Sequence, residues 1–208
     1  MKKTNIIVDS LIKMIPDAKC ELNYDKDYEL LIATMLSAQT TDKRVNEVTE
    51  ELFHKYTLPE IAELDVNTLE QIIKPVGTFR RKSIYLKKIA SSLVKDYEGV
   101  VPNNRNYIES LPGCGHKTCN VVLSNIYNEN CIAVDTHVSR VSKRLGLVKE
   151  SDNVDVIEKK LTKQFSFTSL KDLHHRMVLF GRYICTAKKP QCNNCLLKDI
   201  CKNKKTLH

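Results

Sequence analysis

No run in this 208-residue chain alternates apolar and polar residues convincingly with period two, so a half-buried sheet has no pattern to build on. No apolar stretch approaches the ~20 residues that a membrane helix needs. The start, MKKTNIIVDSLIKMIPDAKC, carries lysines but no long apolar region behind them, which speaks against a secretory leader. A soluble intracellular protein is expected. Repeats, low-complexity tracts and long linkers are also missing. Acidic residues are scarce beside basic ones: 25 Asp+Glu stand against 33 Lys+Arg, a formal net charge of +8. A surplus of that size points to a polyanionic partner, most often nucleic acid. A lysine-rich proteome would give a surplus but no clustering. From Lys171 to His208, nine Lys/Arg stand against two Asp, so the charge is partly clustered.

Helical periodicity is present almost everywhere. Val45, Val48 and Leu52 share a face, as do Leu86, Ile89, Ala90 and Leu93. Val154, Ile157, Leu161 and Phe165 form a third stripe, and Leu173, Met177, Phe180 and Ile184 a fourth. LLIATML (30–36) is apolar all round, which suggests a helix buried within a lobe. CIAV (131–134) is the best strand candidate and is read as a connector. Turn signals fall at 75–77, 99–102, 112–115 and Gly146. The expectation is an all-α protein of roughly ten short helices. With 42% apolar residues the chain can bury a core, as one large domain or two small lobes.

Eight cysteines in a reducing compartment are thiols or metal ligands rather than disulfides. Cys20, Cys114, Cys119 and Cys131 are scattered and read as small buried hydrophobes. Cys185, Cys192, Cys195 and Cys201 lie within 17 residues, spaced C-x6-C-x2-C-x5-C. A C-x2-C loop lets two thiolates reach one metal centre. Tetrahedral zinc and a [4Fe–4S] cluster both take four cysteines, and the thiolate count does not separate them. Lys188 and Lys189, in the loop between the first two ligands, would stand beside the centre as a compact basic gripper for phosphates.

In LPGCGHKTCNVVL (111–123) a glycine turn joins a short helix, about Arg105–Ser110, to a helix starting near His116. Gly113 and Gly115 can take positive φ and let backbone approach closely. The free N–H groups of the second helix then offer a seat for a phosphate oxygen. Such a helix–hairpin–helix grips DNA backbone without reading sequence. Lys117 falls in the first turn of the second helix, where the helix dipole disfavours a cation. Either it is an ordinary surface lysine or it works as a neutral amine. Downstream, Asp135 in AVDTHVSRV precedes a helical stretch, where its plain role is an N-cap. A carboxylate can cap a helix and still face a cleft.

Taken together, LPGCGHKTCNVVL, AVDTHVSRV, HHRMVLFGRYIC, the cysteine spacing and LLIATMLSAQTTD (30–42) resemble the endonuclease III family. The resemblance runs from about Tyr28 to Cys201. It implies a bifunctional DNA glycosylase and AP lyase of base excision repair, acting on damaged or oxidised pyrimidines in double-stranded DNA. It implies two α-helical lobes with the DNA cleft between them: a six-helix lobe at 21–130, and a cluster lobe made of 1–20 with 131–208. It places the nucleophile at Lys117, the essential carboxylate at Asp135, and a [4Fe–4S] cluster on Cys185, Cys192, Cys195 and Cys201. Gln39 matches the residue that fills the gap left by an extruded nucleotide. His137 either supports the site or its phosphates, or is a surface histidine at a helix start. Two positions depart from the family pattern. Thr78 stands where a leucine wedge is usual, with Phe79 beside it as a substitute wedge. His116 stands where the hairpin usually has arginine, which weakens one phosphate contact. A monofunctional adenine glycosylase would lack Lys117, and a mere DNA-binding scaffold would have no reason to keep Lys117 and Asp135 together. A monomer working in the cytoplasm at the nucleoid completes the expectation.

Overall fold

The structure is a computed structural model that describes residues 2–203. Among the described residues there is no strand, and eleven α-helices follow one another. They are α1 (Lys3–Met14), α2 (Asp27–Leu36), α3 (Asp42–Lys55), α4 (Leu58–Glu63), α5 (Val66–Ile73) and α6 (Phe79–Tyr97). Then come α7 (Arg105–Ser110), α8 (His116–Ile126), α9 (Thr136–Arg144), α10 (Val154–Gln164) and α11 (Leu170–Leu179). A π-helical turn, Phe180–Ile184, continues α11, and a 3-10 turn spans Cys192–Asn194. Residues 131–134 are irregular, with Ile132, Ala133 and Val134 buried. No helix among the described residues is long and apolar enough to cross a membrane.

The chain divides into two compact units. The first is Cys20–Tyr127, with seven helices, counting the short α4 and α7. Its centre is α2, buried at every position from Tyr28 to Leu36, as a helix without a polar face must be. Helices α3, α6 and α8 pack around it. Each contributes one apolar stripe: Val45, Val48 and Leu52 from α3; Leu86, Ile89, Ala90 and Leu93 from α6; Cys119, Val122 and Leu123 from α8. Helix α8 packs directly on α2, so its first turn is anchored on the buried centre of the unit.

The second unit joins the N-terminal segment up to Lys19 to the chain from Asn128 onward. Helix α1 packs on α11 through Ile7 and Leu11. Its Lys3 Nζ donates to the Leu145 carbonyl just past the end of α9 (2.5 Å), a favourable place for a cation. The stripe on α10 starts later than the periodicity suggests. Ile157, Leu161 and Phe165 are buried, but Val154 is 48% exposed, because it occupies the first turn beyond the reach of the core.

Candidate DNA-repair site and cysteine cluster

The hairpin is built by α7 and α8. Asn104 caps α7 by accepting from the Tyr107 amide (3.1 Å). Arg105 Nη1 donates to Oδ1 of the buried Asn120 on α8 (2.7 Å) and ties the two helices together. The two glycines between them do different jobs. Gly113 has φ +78, in the left-handed region. A Cβ there would stand 2.7 Å from Tyr85 Cδ2 and 3.1 Å from Met35 Cγ. Gly115 is extended (φ −81, ψ −177) and needs no glycine for its backbone. A Cβ on it would meet nothing within 4 Å. What a side chain would fill at Gly115 is therefore the open space in front of the α8 N-terminus. Among the described residues no side chain caps that terminus, so its amides point into the space where a phosphate oxygen would sit.

Gly113→Ala is expected to cost about 2–4 kcal/mol, the sum of left-handed strain and overpacking. Gly115→Ala should melt within ~0.5 kcal/mol of wild type yet bind duplex DNA more weakly. Paired denaturant melts and titrations with a fluorescent duplex read both. Equal stability losses in the two variants would sink the distinction.

Lys117 is exposed in the first turn of α8, one residue beyond His116. The His116 ring is engaged within the hairpin: Nδ1 lies 2.9 Å from Glu109 Oε1, and Nε2 lies 3.4 Å from Asn120 Nδ2. Cys114 is 1% exposed, and burial, then Cys119, pushes its thiol up to about 12. Cys114 and Cys119 are core residues as the sequence suggests. Cys20 and Cys131 are only half-buried, so packing alone does not describe them.

A second feature of this unit joins residues far apart in sequence. Gln39 and Thr78 are both non-glycine residues in the left-handed region (φ +58 and +57), and both are exposed. Their turns touch. The Gly77 amide donates to Thr40 Oγ1 (3.1 Å), and a Cβ on Gly77 would come within 3.0 Å of the Gln39 carbonyl oxygen. Phe79 is half-buried against the core, with the Arg80 guanidinium 5.5 Å from its ring centre. The aromatic ring is thus partly packed on the core, and Thr78 beside it is exposed.

In the other unit Asp135 caps α9, its Oδ1 accepting from the Val138 amide (2.7 Å). It is half-buried, and its other oxygen has no hydrogen bond among the described residues. Two residues on, His137 Nδ1 accepts from Arg140 Nη2 (3.2 Å), which also donates to the Gly181 carbonyl (2.7 Å). Gly181 lies against α9 so closely that a Cβ would be 2.9 Å from His137 Cβ.

The π-turn delivers Cys185 beside α9. Arg140 Nε donates to the Cys185 carbonyl (3.2 Å). Arg144 Nη1 donates to the Cys185 carbonyl (3.1 Å), to Cys185 Sγ (3.2 Å) and to the Thr186 carbonyl (2.8 Å). Its Nη2 donates to the Ala187 carbonyl (3.0 Å). The sequence reading missed both arginines, although their i, i+4 spacing on α9 puts them on one face. Past Ala187, Lys188 and Lys189 are exposed on the loop that Arg144 shapes.

Cys185, Cys192, Cys195 and Cys201 line one cavity of about 350 Å³ together with Arg144. Among the described residues no three His, Cys, Asp or Glu side chains are placed to hold a single metal ion. A polynuclear cluster and a single zinc both draw on four cysteine thiolates, so the lining alone does not choose between them. Burial pushes the Cys195 and Cys201 thiols up, and the neighbouring cysteines add to it. Such thiolates need the positive charge that a bound metal centre supplies, and the Arg144 N–H is in place to donate to the Cys185 sulfur.

Comparison with known proteins agrees with this arrangement. The HhH-GPD superfamily of base excision DNA repair proteins matches residues 32–167. The iron-sulfur binding domain of endonuclease III matches residues 185–201, which settles the cluster over zinc. Endonuclease III of Bacillus subtilis (strain 168) is 41% identical over 203 residues, covering 97% of this chain and 93% of the relative. The solved structure of a trapped endonuclease III–DNA covalent intermediate is 44% identical, with TM-score 0.89 over 97% of this chain and 96% of that one. A non-covalent endonuclease III–DNA complex aligns over the same shares with TM-score 0.91 at 44% identity. With the hairpin lysine, the capping aspartate and the four-cysteine loop in place, the chain belongs to the endonuclease III family, the iron–sulfur DNA glycosylases and AP lyases of base excision repair.

Proposed function

We propose that this protein excises damaged pyrimidines from double-stranded DNA and then cuts the strand 3′ to the abasic site, with Lys117 as nucleophile and Asp135 as its carboxylate partner. The observation that carries the reading is an exposed lysine in the first turn of α8, behind a glycine that leaves the helix N-terminus open to a phosphate. The damaged nucleotide is extruded from the stack. The Lys117 amine attacks C1′, the N-glycosidic bond breaks, and the base departs with the bonding pair and takes up a proton. Asp135 accepts the ammonium proton and faces the positive charge on the sugar with a carboxylate. Opening of the sugar ring leaves a Schiff base on Lys117 that acidifies the C2′ proton. Loss of that proton expels the 3′ phosphate by β-elimination, and water releases the lysine. Gln39 and Thr78 are presented to the gap, Phe79 supports their turn from the core, and His137 orients Arg140. The [4Fe–4S] cluster, held by Cys185, Cys192, Cys195 and Cys201, gives the C-terminal loop its rigidity. The protein works as a monomer in the bacterial cytoplasm.

A nicking assay on a duplex with one abasic site tests the reading. Strand scission leaving a 3′ unsaturated aldehyde is expected. Base release without scission would make it a monofunctional glycosylase, and binding without either would make it a scaffold.

Lys188 and Lys189 neutralise phosphates in this reading, with the exposed loop kept in shape by Arg144. Changing both to alanine should flatten the log–log salt dependence of DNA affinity by nearly two, at ~0.9 for each phosphate no longer neutralised. An unchanged slope in titrations from low to moderate salt would leave these lysines a solvated face.

A further inference from the structure

Lys82 lies in the first turn of α6 and is 4% exposed. Its ammonium donates to the Leu36 carbonyl (2.7 Å), the Ala38 carbonyl (2.5 Å) and Thr40 Oγ1 (3.3 Å). Three donors thus meet three acceptors, the full capacity of the group. Part of this is ordinary helix capping, because Leu36 ends α2 and a cation suits a helix C-terminus. Capping explains Leu36. It does not explain the reach onward to Ala38 and Thr40, the two residues that bracket Gln39. Thr40 Oγ1 also accepts from the Gly77 amide (3.1 Å), so one hydroxyl ties Lys82 to both turns. Each turn holds one exposed non-glycine residue in the left-handed region, Gln39 and Thr78. Such residues persist only where surrounding contacts over-determine them, and they gather at ligand clamps.

We propose that Lys82 is a positioning residue that latches the Gln39 loop to the Gly77–Thr78 turn, so that one preformed tip rather than two independent loops meets the lesion duplex. The proposal rests on the reading of Gln39 as the residue that fills the gap. Burial, then the adjacent Arg81, draws the Lys82 pKa down to about 8, as for a cation held away from water. A preformed tip forgoes the ordering cost at the moment of binding. The gain should appear only where a gap exists to be filled, in affinity for lesion DNA and not for intact duplex.

The test uses the full-length holoprotein, Lys82→Met and Thr40→Val, with melting temperature and the iron–sulfur absorbance as controls for folding. Amide exchange at Thr40 and Gly77 reads the latch. Affinity for a duplex with a tetrahydrofuran abasic analogue, against the same duplex intact, reads its use. Both variants should speed exchange and weaken analogue binding on the order of tenfold, with intact-duplex binding unchanged. On a Gln39→Ala background, Lys82→Met should add little, because it acts through that loop. Unchanged exchange in variants that fold overturns the latch, and fully additive losses with Gln39→Ala overturn its purpose. Should Lys82→Met fail to fold, Thr40→Val alone decides, since it removes the shared hydroxyl from a half-exposed position. Full analogue affinity in Gln39→Ala would refute the gap-filling reading and the positioning role with it; faster exchange in Lys82→Met would then separate that failure from the absence of a latch.

Discussion

Lys117→Gln should abolish covalent trapping of the protein on lesion DNA by borohydride, and strand cleavage should fall by at least about 10⁴-fold. Borohydride reduces a Schiff base to a stable amine, so only attack through nitrogen gives the trapped product. The substitution keeps length and polarity at an exposed position in the first turn of α8. It disturbs neither the Arg105–Asn120 tie nor the packing of α8 on α2. Stability should therefore stay within ~0.5 kcal/mol. DNA affinity should change little, because the helix amides and the lysines of the cluster loop hold the phosphates in parallel. Measured by denaturing gel after borohydride, a band shift that survives Lys117→Gln would show that another amine is the nucleophile. Loss of trapping together with loss of folding would be a packing effect instead, which a melt distinguishes.

The elements that were legible in the sequence are those whose information is local. Helix α2 shows itself as an apolar run, and α3, α6 and α8 as stripes at helical spacing. The C-x6-C-x2-C-x5-C loop is readable because ligand spacing is a short-range property. Asp135 as a cap is readable because the cap bond spans only three residues. Val154 misled because periodicity counts residues and does not know where the core ends. The glycines were legible as a hairpin but not as two different glycines. Gly113 is set by Tyr85 and Met35, which arrive from other helices, and Gly115 by an emptiness that no sequence pattern records.

Lys82 and Arg144 lie beyond sequence reading for the same reason. Each reads as a surface cation on a helix, and each is drawn inward by carbonyls more than 40 residues away. A carbonyl has no signature in sequence, so a cation that serves one is invisible until the backbone is in place. The Phe79 ring next to the missing leucine suggests a wedge; half of it packs on the core, and Thr78 beside it is exposed.

Asp135→Asn should leave the fold and DNA binding intact and slow base excision by about 10²–10³-fold. The choice of asparagine separates the two roles of this side chain. Asparagine is as good an N-cap as aspartate, so the bond to the Val138 amide at 2.7 Å can persist and α9 keeps its first turn. What disappears is the negative charge, and with it both the proton acceptor and the counter-charge to a cationic sugar. Asp135→Ala removes the cap as well and should cost about 1 kcal/mol of stability in addition. Because α9 carries Arg140 and Arg144, which hold the Cys185 segment, that loss would reach the cysteine loop. Single-turnover excision, melting midpoint and iron content, measured for both variants, distinguish charge from cap. If asparagine matched wild type in rate while alanine was slow, the aspartate would be a cap alone. If both were slow and only alanine lost stability and iron, the charge would be chemical and the cap structural, two roles met by two oxygens of one carboxylate.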